Sequence, residues 1–244
     1  MHIDTLYEDD DLVIVNKPAG LLVIPDRFNA ALPSLNRLLE AKYGGKIWVV
    51  HRLDRDTSGV ICFARNEQAH RYLSILFQER DVNKFYAGLV TGIVMPADGR
   101  IESPIAEHPA VHGKMVVAKK GKMAVTDYRV VEQWPLYSLL QFQIHTGRTH
   151  QIRVHMQSIG HPIVCDELYG DGQPFLLSTI KRKYRMSEKD EVEKPLLSRL
   201  ALHAYRIDFE KEDGTHINVE ADLPKDISAC VKQLNKWCAP RQSS

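Results

Sequence analysis

A chain of 244 residues, 44% hydrophobic and 26% charged, carries enough apolar content to bury a full core, so disorder is excluded and one large domain or two closely joined halves is expected. A formal net charge of only +1 argues for no particular partner and is modest for a protein that holds a polyanion, so any nucleic-acid contact has to come from local basic patches. The opening Met1-His2-Ile3-Asp4 lacks the basic-then-apolar pattern of a signal peptide, and no apolar run approaches the roughly 18 residues that span a bilayer, so a cytoplasmic protein without membrane contact is expected.

In chain order, Leu12-Val13-Ile14-Val15 reads as a short strand that delivers Lys17 and Pro18 into a turn. Ser34 to Tyr43 has helical spacing, with Leu35, Leu38 and Leu39 on one stripe and Gly44 as its stop. Ile47 to Val50 and Val60 to Ala64 read as buried strands on either side of a polar loop. Asn66 is placed to cap a helix that turns Ala69, Tyr72, Leu73, Leu76 and Phe77 inward, and a strand at Phe85 to Thr91 follows.

Gly92 to Gly121 is punctuated by proline and glycine, which predicts an excursion from the sheet, shaped as a hairpin that approaches substrate. Met123 to Val131 and Tyr137 to His145 alternate like strands. Thr149 to Ile159 reads as a helix with Ile152, Met156 and Ile159 on its inner stripe and Gly160 at its end. Gln173 to Lys194 is too polar for core, above all toward Ser187-Glu188-Lys189-Asp190-Glu191, and predicts a long surface loop. Leu202 to Phe209 and His216 to Ala221 flank Asp213-Gly214, a hairpin signal. Asp226 to Cys238 is amphipathic, with Ile227, Val231, Leu234 and Cys238 facing inward. Strands and helices without strict alternation predict an α+β fold with a large mixed sheet and peripheral helices, and no linker separates two domains.

The cysteines at 62, 165, 230 and 238 have no paired CxxC spacing, which speaks for reduced, packed thiols over a zinc ribbon or a disulfide framework. His145, His150 and His155 are spaced by five, which suits neither a strand face nor an i, i+4 helical pair, so no metal is expected. Two basic stretches, His112-Gly113-Lys114 with Lys119, Lys120 and Lys122, and Lys181-Arg182-Lys183-Tyr184-Arg185, read on composition alone as solvated faces.

Between the two predicted buried strands lies His51-Arg52-Leu53-Asp54-Arg55-Asp56-Thr57-Ser58-Gly59, a carboxylate beside guanidinium groups on a loop held by rigid neighbours. An Asp flanked by Arg is, taken alone, a surface ion pair. Thr57 and Ser58 are suited to shaping the loop by local hydrogen bonds.

This loop, taken with Asn16-Lys17-Pro18-Ala19-Gly20, Lys84-Phe85-Tyr86 and Thr146-Gly147-Arg148-Thr149-His150-Gln151-Ile152-Arg153-Val154-His155, resembles the RluA-type pseudouridine synthases, which isomerise uridine in structured RNA. Ala124-Val125-Thr126-Asp127-Tyr128-Arg129, His161-Pro162-Ile163 with Asp166 and Tyr169-Gly170, and Leu202-His203-Ala204 extend the resemblance from about the first strand to beyond residue 204. It implies a two-part catalytic domain over residues 1 to 244 with an extended, mostly antiparallel sheet, and no small N-terminal RNA-binding domain, since the first motif begins within the opening residues. It further implies no cofactor, an RNA substrate of the tRNA or rRNA class, and action as a monomer. Asp54 is then the catalytic carboxylate, as nucleophile or base, Arg153 the arginine that pairs with it, and Tyr86 the aromatic that stacks on the flipped uracil. Arg52 matches the arginine that fills the space vacated by the target nucleotide. Lys17, Lys114 and Arg148 are further candidate RNA contacts, Lys17 with an equal alternative role in holding the turn before Pro18.

The sequence departs from the family pattern at Gly88, where Ala is common, at Cys165, where Gly is usual, and near Lys114, where an arginine-rich approach is reduced to His112-Gly113-Lys114-Met115. Two other functional classes share parts of the pattern. An RNA chaperone would keep the basic cleft without needing Asp54, and a nucleoside hydrolase would need a second carboxylate about 5 Å from the first, for which Asp56 is the nearby candidate in sequence.

Overall fold

The computed structural model describes residues 3–29, 31–186 and 191–238. Along them run β1 (Asp4–Glu8), β2 (Leu12–Lys17), α1 (Leu35–Tyr43), β3 (Trp48–Val49), β4 (Ser58–Ala64), α2 (Glu67–Glu79), β5 (Asn83–Thr91), β6 (Asp98–Glu107) and β7 (Met115–Val117). They continue with β8 (Lys122–Gln133), β9 (Tyr137–Ile144), α3 (Gln151–Ser158), β10 (Leu202–Glu210), β11 (His216–Glu220) and α4 (Lys225–Trp237). The fold is α+β, as expected, and divides into two compact units, Met1–Tyr86 with His203–Asp222, and Ala87–Leu202 with Leu223–Ser244.

In the first unit β2 pairs antiparallel with β1 and β4, β3 with β4, and β11 with β10. The exception is β10, which lies parallel to β4 through His203↔Ser58 and Ala204↔Gly59. Side chains two apart share a strand face, so Leu12 and Ile14, Val60 and Cys62, and Ile207 and Phe209 form one buried layer against Ala69 and Leu73 of α2. Each such side chain contributes about 1.5–3 kcal/mol when fully buried. Every residue of β4 is buried, whereas Trp48 and Val49 of β3 are only half-buried, which corrects the expectation that both flanks of the polar loop are buried strands.

Helix ends follow the local chemistry. The Asn66 side chain accepts the Ala69 N–H at 2.8 Å and caps α2, a bond worth about 1 kcal/mol. Gly44 takes the left-handed conformation that ends α1, at φ 67°.

In the second unit the strand order is β5, β9, β8, β6, β7. Within Gly92 to Gly121, β6 and β7 form the expected hairpin through Ile105↔Val117 and Glu107↔Met115, but it is no excursion from the sheet, because β6 is registered on β8 from Asp98↔Arg129 to Ile105↔Lys122. The residues that suggested a loop have strand roles. Pro104 lies just outside the β6–β7 ladder, and Gly99 faces Tyr128, whose hydroxyl and nearest ring atoms lie 2.7–3.0 Å from where a Cβ would stand. The stretch from Gln173 is anchored by buried Phe175 and Ile180, with a 3-10 turn at Leu177–Thr179, so it is not surface loop throughout; Ser187 to Asp190 lie outside the described residues.

Two helices differ from their predicted faces. In α3 every residue from Gln151 to Met156 is buried while Ile159, assigned to its inner stripe, is 38% exposed. In α4 Ile227, Cys230 and Leu234 are the buried positions, and Val231 and Cys238 are only half-buried. All four cysteines are free thiols. Among the described residues no helix is long and apolar enough to cross a membrane.

Candidate active site

In the first unit the Asp54 loop is held from three directions. Upstream, the His51 Nε2 accepts the Cys62 N–H at 3.0 Å, and its ring stacks on Phe77 of α2 with centroids 4.5 Å apart and planes 17° from parallel. Burial, with the Lys84 ammonium adding to it, lowers the His51 pKa to about 3, so the ring is neutral at physiological pH. Downstream, Ser58 Oγ lies 2.9 Å from His203 Nδ1, and His203 Nε2 lies 3.3 Å from the Ala221 carbonyl. A carbonyl can only accept, so His203 carries its proton on Nε2 and Ser58 donates to Nδ1. Ser58 thus acts through a partner 145 residues away and not by the local bonding expected of it; the local bond is the Thr57 N–H to the Asp54 carbonyl, 3.2 Å.

The third hold is Lys17. Its side chain is 0% exposed, and Nζ donates to the carbonyls of Pro18, Leu21 and Arg55 at 3.0, 2.8 and 2.8 Å. An ammonium has three N–H groups, all engaged here, so the expectation that Lys17 contacts RNA is corrected in favour of its alternative role in holding the turn. The Gly20 N–H donates to the Arg55 carbonyl at 2.9 Å and Arg55 Nε returns a bond to the Gly20 carbonyl at 3.1 Å, which ties the Lys17 turn to the residue after Asp54. The close parallel packing of β4 on β10 requires Gly59, at φ 117°, because a Cβ there would stand 2.1 Å from the Ala204 carbonyl oxygen.

Asp54 itself is half-buried, Arg52, Arg55 and Asp56 are exposed, and Tyr86 is 8% exposed. Burial raises the Tyr86 phenol pKa, and the Asp54 charge raises it further, so the phenol stays protonated beside the carboxylate. On the same strand Lys84 is lowered to about 8 by burial and by Arg80, and its ammonium lies 5.6 Å from the centre of the Phe77 ring. Four of the expected site residues, Lys17, Arg52, Asp54 and Tyr86, therefore belong to this unit; Lys114, Arg148 and Arg153 belong to the other.

In the second unit Arg153 is buried and bound bidentately by Asp166, Nε to Oδ2 at 2.7 Å and the second nitrogen to Oδ1 at 2.8 Å. Its guanidinium also lies over the Tyr169 ring, 4.9 Å from the centroid, and Lys114 Nζ lies 5.5 Å from the same ring. Asp166 Oδ1 accepts the Leu168 and Tyr169 N–H groups at 3.0 and 3.1 Å, and the Tyr169 hydroxyl accepts the Met115 N–H at 2.7 Å and meets His150 Nδ1 at 2.8 Å. Asp166 and Tyr169 thus fix the plane of Arg153. They stood in the sequence within a family-like stretch, but nothing local assigned them to Arg153.

A second polar network explains why α3 is buried on its polar side. Gln151 Oε1 accepts from Thr146 Oγ1 at 2.6 Å and from the Arg148 N–H at 3.1 Å, while Nε2 donates to the Val125 carbonyl and to Thr126 Oγ1, each at 2.9 Å. Thr126 then donates to His155 Nδ1 at 2.9 Å, and His155 Nε2 donates to the Ser103 carbonyl at 3.2 Å. Burial lowers the His155 pKa, in keeping with this neutral tautomer. Arg148 is half-buried, its Nε donating to the Met123 carbonyl at 3.1 Å. His145 meets Asp127, which Arg100 binds through two nitrogens, at 2.7 Å; the Arg100 bonds, offset in part by desolvation, and His145 hold that carboxyl down to about 2. The three histidines of the α3 region each serve a different hydrogen bond, and among the described residues no group of three or more His, Cys, Asp or Glu side chains is gathered to hold a metal ion.

Residues 11–158 match the family described as RNA pseudouridylate synthase. The chain is 41% identical over 233 residues to ribosomal large subunit pseudouridine synthase D of Neisseria meningitidis serogroup B, covering 93% of this chain and 60% of that protein. It is 33% identical over 244 residues to the uncharacterized RNA pseudouridine synthase YlyB of Bacillus subtilis, covering 97% and 74%. The solved structure of human RNA pseudouridylate synthase domain containing 4 shares its fold with a TM-score of 0.73 at 27% identity, over 99% of this chain and 95% of that one. The chain spans about 60% of the length of the Neisseria relative.

Proposed function

The chain belongs to the RNA pseudouridylate synthase family, and from that premise we propose that it isomerises uridine to pseudouridine in large-subunit ribosomal RNA. Asp54 is the catalytic carboxylate, Tyr86 the aromatic that receives the uracil, Arg153 the supporting guanidinium, and Arg52 the side chain that takes the place of the flipped nucleotide. Lys114 and Arg148 supply phosphate contacts, and no cofactor is required. In the reaction the bond from ribose C1′ to uracil N1 breaks, the ring turns, C5 bonds to C1′, and the proton on C5 leaves while N1 regains one. Nothing is oxidised and no outside atom enters, so a carboxylate and a protonated phenol meet the demands of the chemistry.

The observation that carries the reading is the Asp54 loop, fixed by His51, Lys17 and the Ser58–His203 pair, with a protonated Tyr86 beside its carboxylate. Positioning to a fraction of an ångström is what covalent or general-base catalysis by one side chain requires. The test is tritium release from large-subunit rRNA transcribed with uridine labelled at C5. The reading predicts release by the wild-type chain and a fall of about a thousandfold or more for Asp54→Asn, which removes the carboxylate charge and keeps its shape. Equal release by both proteins would end it.

A further inference from the structure

In the second unit one side chain lies between a candidate phosphate contact and the supporting guanidinium. Tyr169 is buried in a small core with Ile105 of β6, Ala124 of β8 and Val154 of α3, against which Met115 and Val117 of β7 pack. Its ring carries two cations, the Arg153 guanidinium 4.9 Å and the Lys114 ammonium 5.5 Å from the centroid. Its hydroxyl joins two stretches of backbone. It accepts the Met115 N–H at 2.7 Å and lies 2.8 Å from Nδ1 of His150, the residue that opens α3 at φ 55°.

The hairpin tip beyond that bond is itself tied together. The His108 N–H donates to the Lys114 carbonyl at 2.8 Å and the Lys114 N–H to the Val111 carbonyl at 3.2 Å, while His108 Nδ1 accepts the Ala110 and Val111 N–H groups at 3.1 and 3.0 Å. A turn with its peptide groups so engaged moves as a block, and the Met115 N–H is where the block meets Tyr169. The phenol therefore has two separable jobs: its face holds cations, and its hydroxyl holds the root of the turn that presents Lys114. We infer that Tyr169 is a positioning residue that couples RNA capture by Lys114 to the setting of Arg153. A phosphate drawn to Lys114 steadies a turn rooted on the Tyr169 hydroxyl, and the same ring fixes the Arg153 plane. Loss of the hydroxyl takes a partner from Met115 and from His150 and loosens the turn, whereas loss of the ring removes the surface beneath Arg153. This inference rests on the RNA-modifying function proposed above and adds a residue that acts through Lys114 and Arg153.

The test is a double-mutant cycle of Tyr169→Phe and Lys114→Met in the full chain. It is read as Kd for large-subunit rRNA transcript and as KM and kcat for tritium release from the C5-labelled transcript. Tyr169→Phe keeps the ring and is expected to raise Kd and KM about fivefold, with a smaller effect on kcat. Lys114→Met is expected to raise Kd about tenfold in the wild-type chain but only about twofold in the Tyr169→Phe chain, because a loosened turn has already lost most of that contact. Tyr169→Leu, which removes the ring, is expected to lower kcat about tenfold as well. Losses that simply multiply across the cycle overturn the inference, as does a Tyr169→Phe chain whose kcat falls while its KM stays. Binding needs no turnover, so if the wild-type chain binds but releases no tritium, the functional reading has failed and the Kd cycle alone decides this one; a chain that does not bind sinks both. Should Tyr169→Phe not fold, hydrogen exchange on the wild-type chain takes its place. Transcript should slow exchange in β7 and in α3 together, and Lys114→Met should diminish both effects; slowing in β7 without α3 overturns the coupling.

Discussion

At Lys17 a full positive charge sits out of water, which is tolerable only because each N–H finds a carbonyl. Lys17→Met keeps the length and removes the donors, leaving three carbonyls around an apolar end. Urea unfolding should show a loss of about 3 kcal/mol, with kcat falling as the Asp54 loop loosens; full stability combined with weakened RNA binding would return Lys17 to a phosphate. His51 gives a pH signature. Its folded pKa of about 3 lies below the ordinary 6.5, so between those values the unfolded chain holds a proton that the folded one refuses. Its contribution to stability is complete above about pH 6.5 and declines as pH falls toward 3, with a slope approaching about 1.4 kcal/mol per pH unit. His51→Gln should flatten that part of the stability profile measured by urea midpoints. At Arg153, Asp166→Ala removes both bonds of the bidentate pair that fixes a buried guanidinium, and a loss of about 3 kcal/mol is expected in the same measurement.

Among the elements, the β4–β10 crossing places the end of the Asp54 loop, and Gly59 allows it. Gly59→Ala drives a methyl into the Ala204 carbonyl, so a loss of about 3 kcal/mol or more is expected, read as a fall in melting temperature and in soluble yield. Elements with a clear period or cap were legible in the sequence: β2, α1 with Gly44, α2 with Asn66, and the β10–β11 hairpin. β6 was not, because its glycine and proline answer to Tyr128 across the sheet and to the end of a neighbouring ladder, which no local pattern records. The face of α3 was misjudged for a related reason. Gln151 and His155 are buried because Thr126 and the carbonyls of Val125 and Ser103 satisfy them, so polarity there does not mean exposure. Of the site, the motif residues were readable, while the devices that hold them, Lys17 on Arg55, Ser58 on His203 and Arg153 on Asp166, link distant positions and emerged only with the fold.

For the molecule as a whole, a net charge of +1 means that RNA affinity must be local and few in its phosphate contacts. With the two proposed phosphate contacts, Lys114 and Arg148, the logarithm of affinity should fall with that of salt at a slope of about −1.5, and Lys114→Ala should reduce the slope by about half. A slope near zero would deny that phosphates are bound at all. The central claim is that Asp54 isomerises uridine in cellular RNA. A pseudouridine map of ribosomal and transfer RNA from cells carrying the wild-type chain, set against cells carrying Asp54→Ala, tests it most directly. The account predicts that at least one large-subunit rRNA site disappears in the variant while the protein remains folded and present; identical maps would contradict it.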